Sequence, residues 1–144
     1  MTTSTNAGFD TLNISKGGTL AGPGRAAHGY DVVSLFTNTK LVGSDAFAIA
    51  HEGATYRFAS EENLRAFEAN PGKYMPQFGG FCAFGVTISK KLDGDPLFSK
   101  VVGDKLYFNL NADILAAFEG DVAGNIAKAE GIWTTIQSTA VSAL

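Results

Sequence analysis

The stretch DAFAIAHEGATYRFASEENLRAFEANPGKY, residues 45–74, sets the reading of this chain. Phe47 and Ile49 fall on one parity before Glu52-Gly53, and Tyr56 and Phe58 on one parity after it. That alternation on both sides of a two-residue turn predicts a β-hairpin with one buried face. Ser60 follows as a helix N-cap, with Glu61 and Glu62 in the first turn, where carboxylates meet the positive end of the helix dipole. Leu64 and Phe67 face the core from this helix in such a reading. Asn70-Pro71-Gly72 ends it, because the residue before a proline is driven out of the α region.

On the N-terminal side, HGYDVVSLF (28–36) carries Val32, Val33, Leu35 and Phe36, a β-branched and aromatic run that reads as a strand ending in the turn TNTK. On the C-terminal side, the polar SKKLDGDP (89–96) leads into FSKVVGDKLYFNL (98–110), whose two apolar runs around Gly103-Asp104 predict a second hairpin. From Asn111 to about Ile136 the spacing is helical in two pieces, Ile114, Leu115 and Phe118 in one and Ile126, Ala129, Ile132, Trp133 and Ile136 in the other. Gly120 and Gly124 are expected to separate them. The fold class expected is therefore α+β: a domain over residues 27–144 with β-hairpins, short helices and a C-terminal helical segment. Residues 1–26 read as an extension, with GGTLAGPGRAA (17–27) at turn-forming density. Two readings stand for it: a flexible tail, or a segment whose Phe9, Leu12, Ile14 and Leu20 dock on the domain or on a second copy of it in a homo-oligomer.

At 144 residues, 45% hydrophobic and 17% charged, the chain is long enough for one self-sufficient core, and its 11 phenylalanines point to a core of large rings. A net charge of -3 argues against nucleic acid as the main partner, since phosphate neutralisation needs a basic face. No apolar run is long enough to cross a bilayer and the N-terminus lacks the basic start and apolar stretch of a secretory signal, so a cytoplasmic protein with no membrane partner is expected. A single cysteine forms no internal disulfide.

That cysteine lies in QFGGFCAFG, residues 77–85. A thiolate is the reactive form and the metal ligand, and Gly79 and Gly80 let backbone N–H groups approach a sulfur or an anion. Free cysteine is also among the most buried residue types, and Phe78, Phe81 and Phe84 surround it in sequence. Cys82 is thus either a functional thiol or a small core hydrophobe. With His28 and His51 it makes the only His2Cys set the chain can offer, a combination used by copper and some zinc sites, although the spacing carries no metal signature. Asn63, Gln77 and Asn109 read as polar ties between loops and core. No P-loop, GxGxxG, CxxC, Ser/His/Asp set or paired carboxylate stands out.

The string YRFASEENLRAFEANPGKY (56–74) resembles the core of YHS domains: an aromatic strand, a Ser-started short helix, a buried Phe and a final Pro-x-x-Tyr. GYD at 29–31, PQFGGFCA at 76–83, DP at 95–96, KLYFN at 105–109 and IAKAEGIW at 126–133 extend the resemblance, in order, to bacterial stand-alone YHS-domain proteins over roughly residues 27–135. Many YHS and related TRASH domains bind metal through cysteines whose positions fall near Ala59 and Asn63 here; neither supplies a thiolate, so that zinc site does not carry over. The GG-aromatic-CA cysteine remains, in a segment where some relatives carry selenocysteine, and it implies a reactive Cys82 at the edge of an aromatic pocket. Gly79 and Gly80 would flank its sulfur, and Tyr30 and Asp31 of the GYD motif would support the site, although Asp31 reads equally as a backbone cap and Tyr30 as packing. The function expected is a metal-binding or thiol-redox accessory protein that uses Cys82, with His28 and His51 as further ligands to a copper or zinc ion. The alternative is a non-catalytic module with an aromatic pocket for a small molecule or a partner segment.

Overall fold

The computed structural model describes residues 11–14 and 24–144. Strand β1 (Ser44–His51) turns at Glu52-Gly53 into β2 (Ala54–Phe58), pairing Ile49 with Tyr56 and His51 with Ala54. Both turn residues take positive φ, 48° and 90°, the geometry whose twist matches that of paired strands. Ser60 then caps helix α2 (Glu61–Ala69) by accepting the Asn63 N–H at 3.2 Å, and the Pro71–Tyr74 turn of helix, α3, follows directly. Phe67 is 1% exposed and sits between the rings of Tyr56 and Phe58, at centroid distances of 4.7 and 5.2 Å. Tyr74 sets its ring edge-on to Phe36 at 5.1 Å in the same core.

The folded unit reaches further back than residue 27. Thr55 donates its N–H to the Gly24 carbonyl and accepts that of Ala26, each at 2.9 Å, so Gly24–Ala26 lies along β2 through a single parallel bridge between Arg25 and Thr55. Ala26 is 4% exposed and belongs to the core. Ile14 bridges to Ala26, and Leu12 and Ile14 pack against that core, which is the docked reading of the extension; Phe9 and Leu20 lie outside the described residues.

The run expected as a strand at 32–36 is instead helix α1 (Val32–Leu35). Asp31 supplies the reason, since its carboxylate accepts the Ser34 N–H at 3.1 Å and starts a helical turn. A strand would send Val32 and Val33 to opposite faces. The helical turn takes Val32, Val33 and Leu35 into one core, overriding their β propensity.

The second hairpin forms as expected, β3 (Asp95–Val102) and β4 (Lys105–Asn109) around Gly103-Asp104, with φ of 57° and 61°. Strand β4 is the wall between two cores. Leu106 and Phe108 point into the core of the first hairpin, and Tyr107, on the opposite parity, into a second core. Helices α4 (Ala83–Thr87), α5 (Ala112–Glu119) and α6 (Val122–Ile136) close the second core with Val86, Phe118 and Ala129, Trp133 packing at its margin. The break between α5 and α6 falls at Gly120-Asp121. Gly124 is not a breaker but lies inside α6, where its N–H caps onto Asp121 at 3.1 Å and a Cβ would stand 2.2 Å from Asp121 Oδ2. The architecture is α+β: among the described residues, six α-helices and two antiparallel two-stranded sheets. No helix among them is long and apolar enough to cross a membrane.

Phe67→Ala should cost about 3–5 kcal/mol in a urea titration, the range for removing a fully buried ring. A loss under about 1 kcal/mol would contradict the packing described.

Candidate functional site

The positions singled out by the sequence fall in three places. The first is Asp31, fully buried. Its Oδ1 accepts the Ser34 N–H at 3.1 Å, and its Oδ2 accepts the Ala59 N–H at 2.9 Å and the Asn63 Nδ2–H at 2.8 Å. Charge-assisted bonds from several N–H donors stabilise a carboxylate in the absence of a cation. Ala59 and Asn63 are the two positions where the YHS resemblance would place metal-binding cysteines, and here both donate to Asp31. Tyr30 is half-buried, donates its N–H to the Ala27 carbonyl at 2.8 Å and bridges to Val42. Tyr30 and Asp31 of the GYD motif therefore tie the fold together, and neither lines the cleft described below.

The second place is Cys82. It is fully buried and N-caps α4, its sulfur accepting the Gly85 N–H at 3.3 Å. The thiol lies 3.7 Å from Asn109 Oδ1, which also accepts the Phe84 N–H at 3.3 Å; Asn109 Nδ2 is buried with no partner among the described residues. Burial pushes the Cys82 thiol pKa up and the Asp93 carboxylate adds to that, against the opposing pull of the Gly85, Leu110 and Phe84 N–H groups. The net shift is upward, so Cys82 is a protonated thiol at neutral pH. The expected reachable sulfur at a pocket edge is thus corrected. The aromatic segment folds inward, Phe78 and Phe81 are buried with the cysteine, and no solvent path is left to the sulfur.

His51 lies 3.1 Å from Glu52 and edge-on to the Phe67 ring at 5.5 Å, on the first hairpin. His28 lies 2.8 Å from Asp93. Among the described residues no three His, Cys, Asp or Glu side chains form a metal-ligand group, so His28, His51 and Cys82 are not gathered into the copper or zinc set considered above.

The third place is a cleft of about 330 Å³ lined, among the described residues, by Asn13, Ile14, Arg25, His28 and Asp93. Its wall is built on left-handed backbone: Ala27, His28 and Gly29 have φ of 53°, 51° and 80°. Two of the three carry a Cβ, which makes this conformation costly. The turn is held by the Gly29 N–H on the Ala26 carbonyl at 3.0 Å, the Tyr30 N–H on the Ala27 carbonyl, and the Gly43 N–H on the Gly29 carbonyl at 2.8 Å. It sets the His28 ring against Asp93, whose Oδ1 lies 2.8 Å from His28 Nε2 and accepts the Asn13 Nδ2–H, also at 2.8 Å.

A second left-handed run, Phe78, Gly79 and Gly80 with φ of 57°, 64° and 84°, lies beside it. The Gly79 carbonyl accepts the Asn13 N–H at 2.8 Å and the Gly80 carbonyl the Asn13 Nδ2–H at 3.2 Å. A Cβ on Gly79 would stand 2.0 Å from the Thr11 carbonyl oxygen. The glycine pair is therefore a seat for residues 11–13. Its carbonyls face that segment, and the backbone N–H groups at the sulfur come from residues after Cys82 instead.

Sequence reading found His28 but gave it the wrong partners, and it missed Asn13, Arg25 and Asp93. Arg25 left one signal, as the only Arg, Lys, Asp or Glu between Gly17 and Tyr30. Asn13 and Asp93 left none, because their pairing spans 80 residues. No protein-family model, curated protein or solved structure matches this chain.

Two outcomes follow from these geometries. Asp31→Ala strands three N–H donors in or near the core and should cost about 3 kcal/mol or more, read from the urea midpoint. A native thiol titration should find Cys82 unreactive at neutral pH and reactive once the chain is unfolded. Since the folded thiol pKa is raised, its contribution to stability is complete below the unfolded value of about 8.5 and is lost as pH rises through the folded value. Tyr56, pushed up to about 12 mainly by burial, acts in the same direction at higher pH. Rapid alkylation of the native protein at pH 7 would refute the buried-thiol assignment.

Proposed function

We propose that this chain is a small, non-catalytic binding module, that its site is the cleft of Asn13, Ile14, Arg25, His28 and Asp93, and that its ligand is a small molecule bearing an oxyanion, carboxylate or phosphate. The observation that carries this reading is the strained Ala27-His28 pair on the wall of a cavity of about 330 Å³. Left-handed conformation at residues with a Cβ persists where the surroundings over-determine it, and it clusters at binding sites. The volume falls at the lower end of the range for small-molecule sites.

The lining favours an oxyanion. The Arg25 guanidinium is a planar donor fork that suits carboxylate and phosphate, and the His28 imidazole lines the same cleft. The one carboxylate among the described lining residues, Asp93, already accepts Asn13 and faces His28, so its charge is countered within the wall. Ile14 supplies an apolar surface for the rest of the ligand. This differs from the aromatic pocket expected from sequence, since rings such as those of Phe58, Phe67, Phe78, Phe108 and Phe118 lie within the two cores. A metal or thiol-redox role through Cys82 draws no support from a buried, protonated sulfur.

Kinship with YHS-domain proteins is part of the same proposal. It is supported by the order of strand, Ser60-capped helix, buried Phe67 and Pro71–Tyr74 turn. A lone, unpaired cysteine suits a reducing compartment such as the cytoplasm.

Titration of isotope-labelled protein with inorganic phosphate, and separately with acetate, should shift the amide resonances of Asn13, Arg25 and His28. Arg25→Gln should weaken binding about tenfold or more, a loss of about 1.4 kcal/mol. His28→Gly removes the ring and relieves the left-handed strain together. It should lose affinity while stability stays within about 1 kcal/mol of the parent or rises. Absence of shifts with both anions, or unchanged binding by His28→Gly, would reject the reading.

A further inference from the structure

We infer that residues 11–14 are a strap that completes the cleft, so that docking of the strap and binding of the ligand are thermodynamically coupled; this rests on the oxyanion-site reading above. Two of the five described lining residues, Asn13 and Ile14, belong to this short segment. The segment adds no strand to either hairpin, and its Leu12 and Ile14 pack against the edge of the first core. Asn13 donates its backbone N–H to the Gly79 carbonyl and its Nδ2 to the Gly80 carbonyl and to Asp93 Oδ1, while Ile14 forms a single bridge to Ala26.

The Asn13 amide does more than hold the strap. It shares with His28 the one oxygen of Asp93 that orients the imidazole, Nδ2 and Nε2 each lying 2.8 Å from it. Lifting the strap therefore removes a wall and also leaves Asp93, about half exposed, without the donor that fixes its carboxylate beside His28. A ligand that binds only the docked form has its apparent affinity reduced by the docked fraction, and by linkage its binding must favour docking to the same degree. Asn13 is in this sense a positioning residue, acting on the ligand through Asp93 and His28.

Gly79 makes the coupling testable without altering the described cleft residues, because it does not line the cleft. It carries a positive φ of 64°, and a Cβ there would stand 2.0 Å from the Thr11 carbonyl oxygen and 3.3 Å from Leu12 Cα. Gly79→Ala should displace the strap while every described lining side chain remains in the chain. Asn13→Ala, which removes both Nδ2 bonds and adds no bulk, is the second variant, since Gly79→Ala could disturb its own turn.

The experiment uses the full chain with inorganic phosphate as probe and has two readouts: phosphate affinity by resonance titration, and hydrogen exchange at the Asn13 amide with and without phosphate. The expected result is a rise in Kd of about tenfold in both variants if docking falls to one tenth, together with slower Asn13 exchange in the parent when phosphate is present. Exchange in β4 should be unaffected by the ligand. If the parent binds phosphate but both variants bind it equally well, or if phosphate leaves Asn13 exchange unchanged, the coupling is wrong and the oxyanion site stands. If the parent binds neither phosphate nor acetate, the site reading itself fails and the coupling falls with it.

Discussion

The buried Asp31 carboxylate is the tie on which the arrangement of the first half of the molecule depends. Its oxygens join the start of α1, through Ser34 three residues on, to the end of β2 through Ala59 and the first turn of α2 through Asn63, 28 and 32 residues along the chain. A fully buried carboxylate is tolerable only when N–H donors replace its lost hydration. Satisfying it fixes where α1 lies against the hairpin and the helix that follows. The same tie explains why a β-branched run becomes helical, since the carboxylate that locks Ala59 and Asn63 also caps Val32–Leu35.

Strand β4 plays the corresponding part for the whole chain. Its alternation sends Leu106 and Phe108 to one core and Tyr107 to the other, so three consecutive residues serve two hydrophobic clusters. Asn109, at its end, accepts the Phe84 N–H and sits beside the Cys82 thiol, anchoring α4 to the wall. The cysteine is small enough to fill the corner where α4 begins beside β4, and its sulfur satisfies a backbone N–H there. Its chemistry is spent on structure. The motif that looks most reactive in the sequence is therefore the one the fold encloses.

The cleft is made where the fold is least relaxed. Two left-handed runs, residues 27–29 and 78–80, lie on either side of the 11–14 segment, and three of their six residues carry a Cβ. Burial holds both in place. Ala27 is 4% exposed, and the Phe78 ring packs against Tyr107 and Trp133 at centroid distances of 5.9 Å. The cores thus supply the rigidity that holds the strained backbone, beside which His28 meets Asp93 and the Gly79-Gly80 carbonyls meet Asn13.

By itself the sequence determined the elements whose signals are local. The Glu52-Gly53 and Gly103-Asp104 turns, the Ser60 cap, the Pro71 boundary and the helical spacing of Ile126, Ala129 and Ile136 all formed as read, because turn chemistry, capping and periodicity act within a few residues. Tertiary structure alone decided the rest. Whether Val32–Leu35 is strand or helix depends on a carboxylate that must also find Ala59 and Asn63, and whether Gly124 breaks a helix depends on Asp121 needing its N–H and its missing Cβ. Whether Cys82 is a reactive thiol or a core residue depends on which side of β4 its turn folds. The cleft is wholly of this second kind, since Asn13, His28 and Asp93 meet across 65 to 80 residues of chain and no local preference of any of them encodes that meeting.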